Sequence, residues 1–136
     1  MAQLVFVNAK VLINSVDLSD HVRTATVSAG AKMLNDNAMA DTFESSVAGL
    51  QTWKIDVEFI QDYASAKVDA TLFPLIGAAA FTVAVNPVNA ANSATNPAYS
   101  GSAVLSSYDA IGGKHGDLLM SKASFASAGL LSRLVA

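Results

Sequence analysis

Residues 51–61 read QTWKIDVEFIQ. Trp53, Ile55, Val57 and Phe59 alternate with Thr52, Lys54, Asp56 and Glu58. A period of two predicts a β-strand with one dry face and one wet face. Weaker strand patterns lie at 11–13, 22–28, 81–85, 103–108, 118–127 and 130–135. One helix is predicted at about residues 64–76, where Val68, Leu72 and Ile76 form a stripe with Leu75 beside them. Asp62 or Ser65 supplies its N-cap and Gly77 its stop. Pro74 lacks a backbone donor and crowds the preceding turn, so the helix bends or ends near 71–73. A run of strands with one inserted helix predicts a mainly β fold, an antiparallel β-sandwich or barrel with one flanking α-helix.

Two segments follow neither period and are expected to be long loops. Residues 35–49 are acidic at Asp36, Asp41 and Glu44, yet carry Met39, Phe43 and Val47. Residues 86–101 are rich in Asn, Ala, Ser and Pro and cannot build a core alone. Loops of such length inside a small domain are usually functional or disordered.

Composition sharpens this picture. The 136 residues fit a single domain, 1–136. Hydrophobic residues make up 52% and charged residues only 14%, where about a quarter charged is usual. So thinly charged a chain covers its surface with small polar groups or buries it against other subunits. There is no cysteine, which excludes a disulfide framework and a thiolate metal site. The longest apolar run, 75–85, is interrupted by Gly77 and Thr82 and is far short of the ~20 residues of a membrane span. No basic residue precedes Lys10, so no signal peptide is expected. Net charge is −3 and the eight Lys and Arg residues are scattered singly, which argues against a nucleic-acid-gripping surface.

Candidate chemistry is sparse. The stretch VDLSDHVR at 16–23 sets Ser19, Asp20 and His21 side by side, with Asp17 upstream. In an extended chain neighbours point to opposite faces, so these three cannot form a nucleophilic triad. A turn in which Asn14, Ser15, Asp17, Ser19 and Asp20 bond their own backbone explains them. Only two histidines exist, and Asp17 with His21 or Asp117 with His115 would give two ligands where zinc needs three or four. Residues 112–116, GGKHG, read as a turn, because the spacing of a phosphate loop is missing. Asp56 and Glu58 share a strand face, which solvent exposure explains better than paired catalysis. No catalytic residue, metal or cofactor is expected, and an enzyme ranks last.

Across residues 11–136 the sequence resembles the tail tube proteins of long, non-contractile-tailed bacteriophages. The resemblance is carried, in order, by INSVDLSDHV, the AMADT loop, AGLQTW leading into the amphipathic strand, VDATLFPLIG, and NPAYSGSAVLSSYDAIGGKHGDLLMSKASF. It departs at Ser45 and Ser46, where the family often carries a basic residue. The resemblance implies a structural virion protein that closes into hexameric rings, stacked as a tube through which genome DNA passes without specific binding. Its partners would be identical copies and other tail and head–tail joining proteins, with no membrane. Its place would be the virion tail, assembled in the bacterial host cytoplasm. The loop at 35–49 would reach a neighbouring subunit through Met39, Asp41, Phe43, Glu44 and Val47. A bore that lets DNA slide should lack basic anchors, so Asp56 and Glu58 become candidates for a mildly negative lining. The alternatives are a capsid decoration or head–tail joining protein with a related β fold, and a monomeric binding module. The low aromatic share of 7% and the dry-face placement of Trp53 and Phe59 disfavour the last.

Overall fold

The computed structural model describes residues 9–135. Seven strands form one sheet: β1 (Lys10–Ile13), β2 (Val16–Asp17), β3 (Val22–Asn35), β4 (Ser46–Ile60), β5 (Phe81–Asn86), β6 (Ala98–Gly112) and β7 (Met120–Leu134). Their spatial order is β2-β1-β5-β6-β7-β4-β3, and all neighbouring pairs are antiparallel. Asn14 and Ser15, both with positive φ, make the tight turn from β1 to β2. Such a mirror-image turn matches the twist of the flanking strands.

The alternation in β4 does what it predicts. Trp53, Ile55, Val57 and Phe59 are buried, and the intervening residues are not. They pack with Val11 and Ile13 of β1, Phe81, Val83 and Val85 of β5, and Phe125 of β7. Phe81 and Phe125 meet edge to face, with ring centroids 5.8 Å apart, the arrangement that ring quadrupoles favour. Three strands separate β3 from β5 in the sheet, yet Ala25 and Val27 line the same apolar cleft as Val85 and Tyr99. The sheet therefore curls over and encloses its own dry face.

The helix, α1, spans only Val68–Leu72. Pro74 then stands in a 3-10 turn, Phe73–Leu75, after which Ile76 is extended. Val68, Leu72 and Leu75 are buried as expected, but Ile76 is exposed, because the break at Pro74 rotates it off the stripe. Neither Asp62 nor Ser65 is the N-cap; Lys67 is, with no side-chain bond. Tyr108 of β6 anchors the helix by donating its hydroxyl to Asp69 at 2.9 Å. Burial pushes that hydroxyl up to about 12.

Both long connections are shorter than the sequence suggests. Pairs Met33↔Ala48, Leu34↔Val47 and Asn35↔Ser46 extend the β3–β4 hairpin through residues 46–49. β6 likewise begins at Ala98, pairing with Leu134. The remaining 87–97 loop is organised by Asn96, whose amide donates to Val88, Ala90 and Ala91 carbonyls and accepts from the Val88 N–H. Buried Asn86 adds a bond to Asn92 at 2.8 Å. The segments 118–127 and 130–135 join in one strand, β7.

At the core's upper end the Trp53 indole donates to the Gly129 carbonyl at 2.8 Å. Gly101 lies beneath it. A Cβ there would stand 2.7 Å from Trp53 Cζ2 and 2.8 Å from the Leu130 carbonyl oxygen, inside van der Waals contact. We expect Gly101→Ala to lose about 1–3 kcal/mol of stability by overpacking. The emission of Trp53, the chain's single tryptophan, followed through urea unfolding, checks this. An unchanged midpoint would contradict the packing described.

Candidate assembly surfaces

The β3–β4 hairpin outgrows the core. β4 pairs with β7 only over Lys54–Ile60, so from Thr52 back to Ser46 its strand partner among the described residues is β3 alone. That free arm is about 23 Å long by strand rise. Its tip, residues 36–45, is ordered by its own polar groups. Asn35 Oδ1 accepts from the Asn37 N–H at 2.7 Å, Asn37 Oδ1 from the Ser45 N–H at 2.6 Å, and Asp41 Oδ2 from the Ala38 N–H at 2.7 Å. Ala40 adopts the left-handed region, φ 75°, a conformation that costs a residue with a Cβ about 1–2 kcal/mol.

Against this ordered frame the apolar side chains point outward. Met39 is 98% exposed and Phe43 86%. Met33, Leu34, Val47 and Leu50 along the arm are exposed as well. Asp36, Asp41 and Glu44 give the tip three negative charges and no positive one. Of the residues expected to reach a neighbour, Met39, Asp41, Phe43 and Glu44 sit on the tip, while Val47 is in β4 opposite Leu34. Ordered backbone with solvated large apolar groups marks a contact surface.

A second apolar group lies at the other end of the sheet. β6 and β7 are joined through residues 113–119, beside Ile60, since Met120 pairs with both Ile60 and Gly112. Ile111 is 77% exposed, and Leu118, Leu119 and Tyr63 are exposed beside it. The Tyr63 hydroxyl donates to the Ala110 carbonyl at 3.1 Å. Lys114 and His115 occupy the turn, closed by the Asp117 N–H donating to the Lys114 carbonyl at 2.9 Å. The sequence reading missed this patch; Leu118 and Leu119 directly after a glycine-rich turn were its one signal.

Asp56 and Glu58 lie on the wet face of β4. Asp56 accepts from Ser124 Oγ at 2.7 Å and stands 3.6 Å from Lys54 Nζ. Glu58 is in register with Lys122 of β7 and Thr24 of β3, and Asp109 of β6 with Lys122. Thr26, Ser28 and Ser124 complete a broad face of small polar residues with interleaved charge.

The stretch 16–23 forms β2 and a 3-10 turn, Ser19–His21. Ser19 Oγ bonds Asp17 and accepts from the Val11 N–H at 2.9 Å, which ties down the outer edge of β1. His21 turns elsewhere: Nδ1 is 2.7 Å from Asp20 Oδ1 and Nε2 is 2.9 Å from Asp62 Oδ2. A carboxylate only accepts, so both contacts hold together when each ring nitrogen carries a proton. Asp62 also accepts from the Ala64 N–H at 2.9 Å, so His21 fastens this turn to the segment leading into α1. Among the described residues no group of three or more His, Asp or Glu is placed to hold a metal ion.

No family model and no curated protein matches the sequence. Solved structures do match it in shape. A chain in the tail of an empty gene transfer agent particle, solved with C6 symmetry, superposes with a TM-score of 0.72 at 17% identity, over 97% of this chain and 98% of that one. The SPP1 tail tube protein gives 0.68 at 13% identity, over 95% of this chain and 78% of that one. A sheath/tube terminator structure of the PVC extracellular contractile injection system gives 0.74 at 8% identity, over 98% and 97%. At such identities the likeness is one of architecture: the chain has the tail tube fold.

The His21 clamp has an acid limit. The His21 hydrogen bond lowers the Asp20 carboxyl below its ordinary 3.8, and the Ala64 N–H followed by His21 lowers Asp62. Lowered folded values mean that these aspartates stabilise the fold above that ordinary value, and the contribution is lost as pH falls below it. We expect His21→Gln to flatten the acid limb of a urea-midpoint profile below about pH 4. Parallel acid limbs for the two proteins would show that the clamp does not set it.

Proposed function

We propose that this chain is a structural virion protein that polymerises as stacked hexameric rings into a phage tail tube. The observation that carries the reading is the arm. A chain with the tail tube fold holds out an ordered hairpin whose Met39 and Phe43 are almost wholly in water. A second copy is the simplest surface to cover them. The whole chain, 1–136, acts as one tube-forming unit, in the virion, after assembly in the host cytoplasm. Other tail and head–tail joining proteins would close its two ends. A contractile injection system shares this fold, so the assignment to a non-contractile tail rests on the sequence resemblance.

Ring closure has a natural means in β3, a strand of 14 residues whose outer edge has no strand partner among the described residues. An edge of that length invites pairing with another chain. The opposite edge is different: β2 is two residues long, and Ser19 and the Leu18 N–H occupy β1's outer groups at Val11. The wet face carrying Asp56 and Glu58 is the one we assign to the bore. Its acids offset Lys54 and Lys122, so DNA meets no basic track there, and each missing phosphate contact removes sequence-independent grip.

Negative-stain microscopy of the purified protein across concentration tests this reading. The expected result is uniform hollow tubes with six-fold end views. Met39→Ser with Phe43→Ser should abolish tubes while shifting monomer stability by less than about 0.5 kcal/mol, as exposed positions do. Compact single particles at every concentration, or trimers that bind a capsid shell, would overturn it.

A further inference from the structure

The chain has four methionines, and their surroundings differ. Met39 at the arm tip is 98% exposed and Met33 on the arm 61%. Met120 of β7 is half-buried, with its Sδ 4.0 Å from Arg23 Nη1. Met1 lies outside the described residues. A thioether is open to two-electron oxidants such as hydrogen peroxide. The sulfur attacks one peroxide oxygen, an S–O bond forms and the O–O bond breaks. The departing hydroxide takes up a proton and leaves as water; sulfur loses the two electrons that the peroxide gains. The sulfoxide is polar where the thioether was apolar. We propose that Met39 is an oxidation site that switches assembly off: its sulfoxide prevents another copy from covering the tip, while the molecule itself stays folded.

The proposal rests on the tube reading, in which a second copy covers Met39, and adds a chemical control over that step. The frame of the tip is built without the Met39 side chain, from Asn35, Asn37 and Asp41. Oxidation therefore leaves the backbone where it is. The tip is also poor in groups that could satisfy a new oxygen. Residues 36–45 contain three carboxylates and no Lys, Arg or His, and a carboxylate only accepts. The N–H groups of Asp36, Asn37, Ala38, Asp41 and Ser45 already donate within the tip. In water the sulfoxide oxygen is solvated at no loss. Covered by another copy, it gives up that water among acceptors, and an unsatisfied buried acceptor is costly. Met33 is less exposed and lies in the β3–β4 ladder opposite Ala48, outside the tip. Sulfoxide reductases return the thioether, so the switch is reversible.

With no cysteine in the chain, peroxide has no thiol to compete for it. Purified, unassembled protein is treated with hydrogen peroxide, quenched with catalase and mapped by peptide mass spectrometry. Met39 is expected to oxidise ahead of Met33 and Met120. The urea midpoint read by Trp53 should stay unchanged, while the concentration at which tubes appear rises by about tenfold. Treatment with methionine sulfoxide reductases should restore the original threshold. Met39→Leu keeps the apolar volume, so it should form tubes and lose the sensitivity to peroxide, whereas Met33→Leu should keep it. In preformed tubes Met39 should oxidise about tenfold more slowly than in free protein, because a covered sulfur is shielded. An unchanged threshold with Met39 fully oxidised, or equal sensitivity in Met39→Leu, would overturn the proposal and leave the tube reading standing. A urea midpoint that falls as Met39 oxidises would overturn it too, since the loss would then be one of folding. A wild type that forms no tubes would remove both.

Discussion

The sheet is longer than the core that covers it. α1 is five residues, and β1 and β5 are four and six. β3, β4, β6 and β7 are fourteen or fifteen. Short elements can cover only the middle of long strands. Burial in β4 therefore runs from Trp53 to Phe59 and stops, leaving residues 46–52 as an arm. Everything that distinguishes this molecule from a self-sufficient β-sandwich follows from that mismatch. Buried apolar area stabilises the middle at about 25 cal/mol per Å². The same kind of side chain at Phe43 or Ile111 contributes nothing until another surface arrives.

The polar groups are placed to keep those ends ready rather than to hide them. At the tip, Asn35, Asn37 and Asp41 satisfy the backbone that a loop would otherwise leave to water. In the 87–97 loop, three carbonyls share the two amide protons of Asn96. These bonds need no apolar burial, so the connections hold shape while exposed. The low charge of the chain, 14%, belongs to the same design. Few charges mean little repulsion between copies, and the wet face of β4 offsets the ones it has.

How much of this was legible in the sequence depends on whether neighbours along the chain carry the signal. The β4 strand was plain, since alternation is a local property and one face of the strand is dry. The ends of the hairpins were not. Residues 46–48 are exposed and show no alternation, although their ladder with β3 continues. The end of the helix at Leu72 falls where Pro74 was expected to stop it, but its start was placed too early, since the helix begins only at Val68, and Ile76 leaves the stripe. The acidic, apolar character of 36–45 set it apart from the core as a loop, whereas its contact with a neighbour was implied only by the resemblance; Met39 and Phe43 are exposed there. The clamp of His21 on Asp62 joins residues 41 positions apart, and the closeness of Gly101 to Trp53 depends on how the sheet curls. Neither leaves a trace in spacing or composition.

The central claim is that the long strands are completed by identical copies. Hydrogen exchange of the β3 backbone amides, Val22–Asn35, measured in dilute and in concentrated protein, tests it most directly. The account predicts that amides on the outer edge of β3 exchange much more slowly in concentrated protein, while those bonded to β4 change little. Exchange at the same rate at every concentration would contradict it.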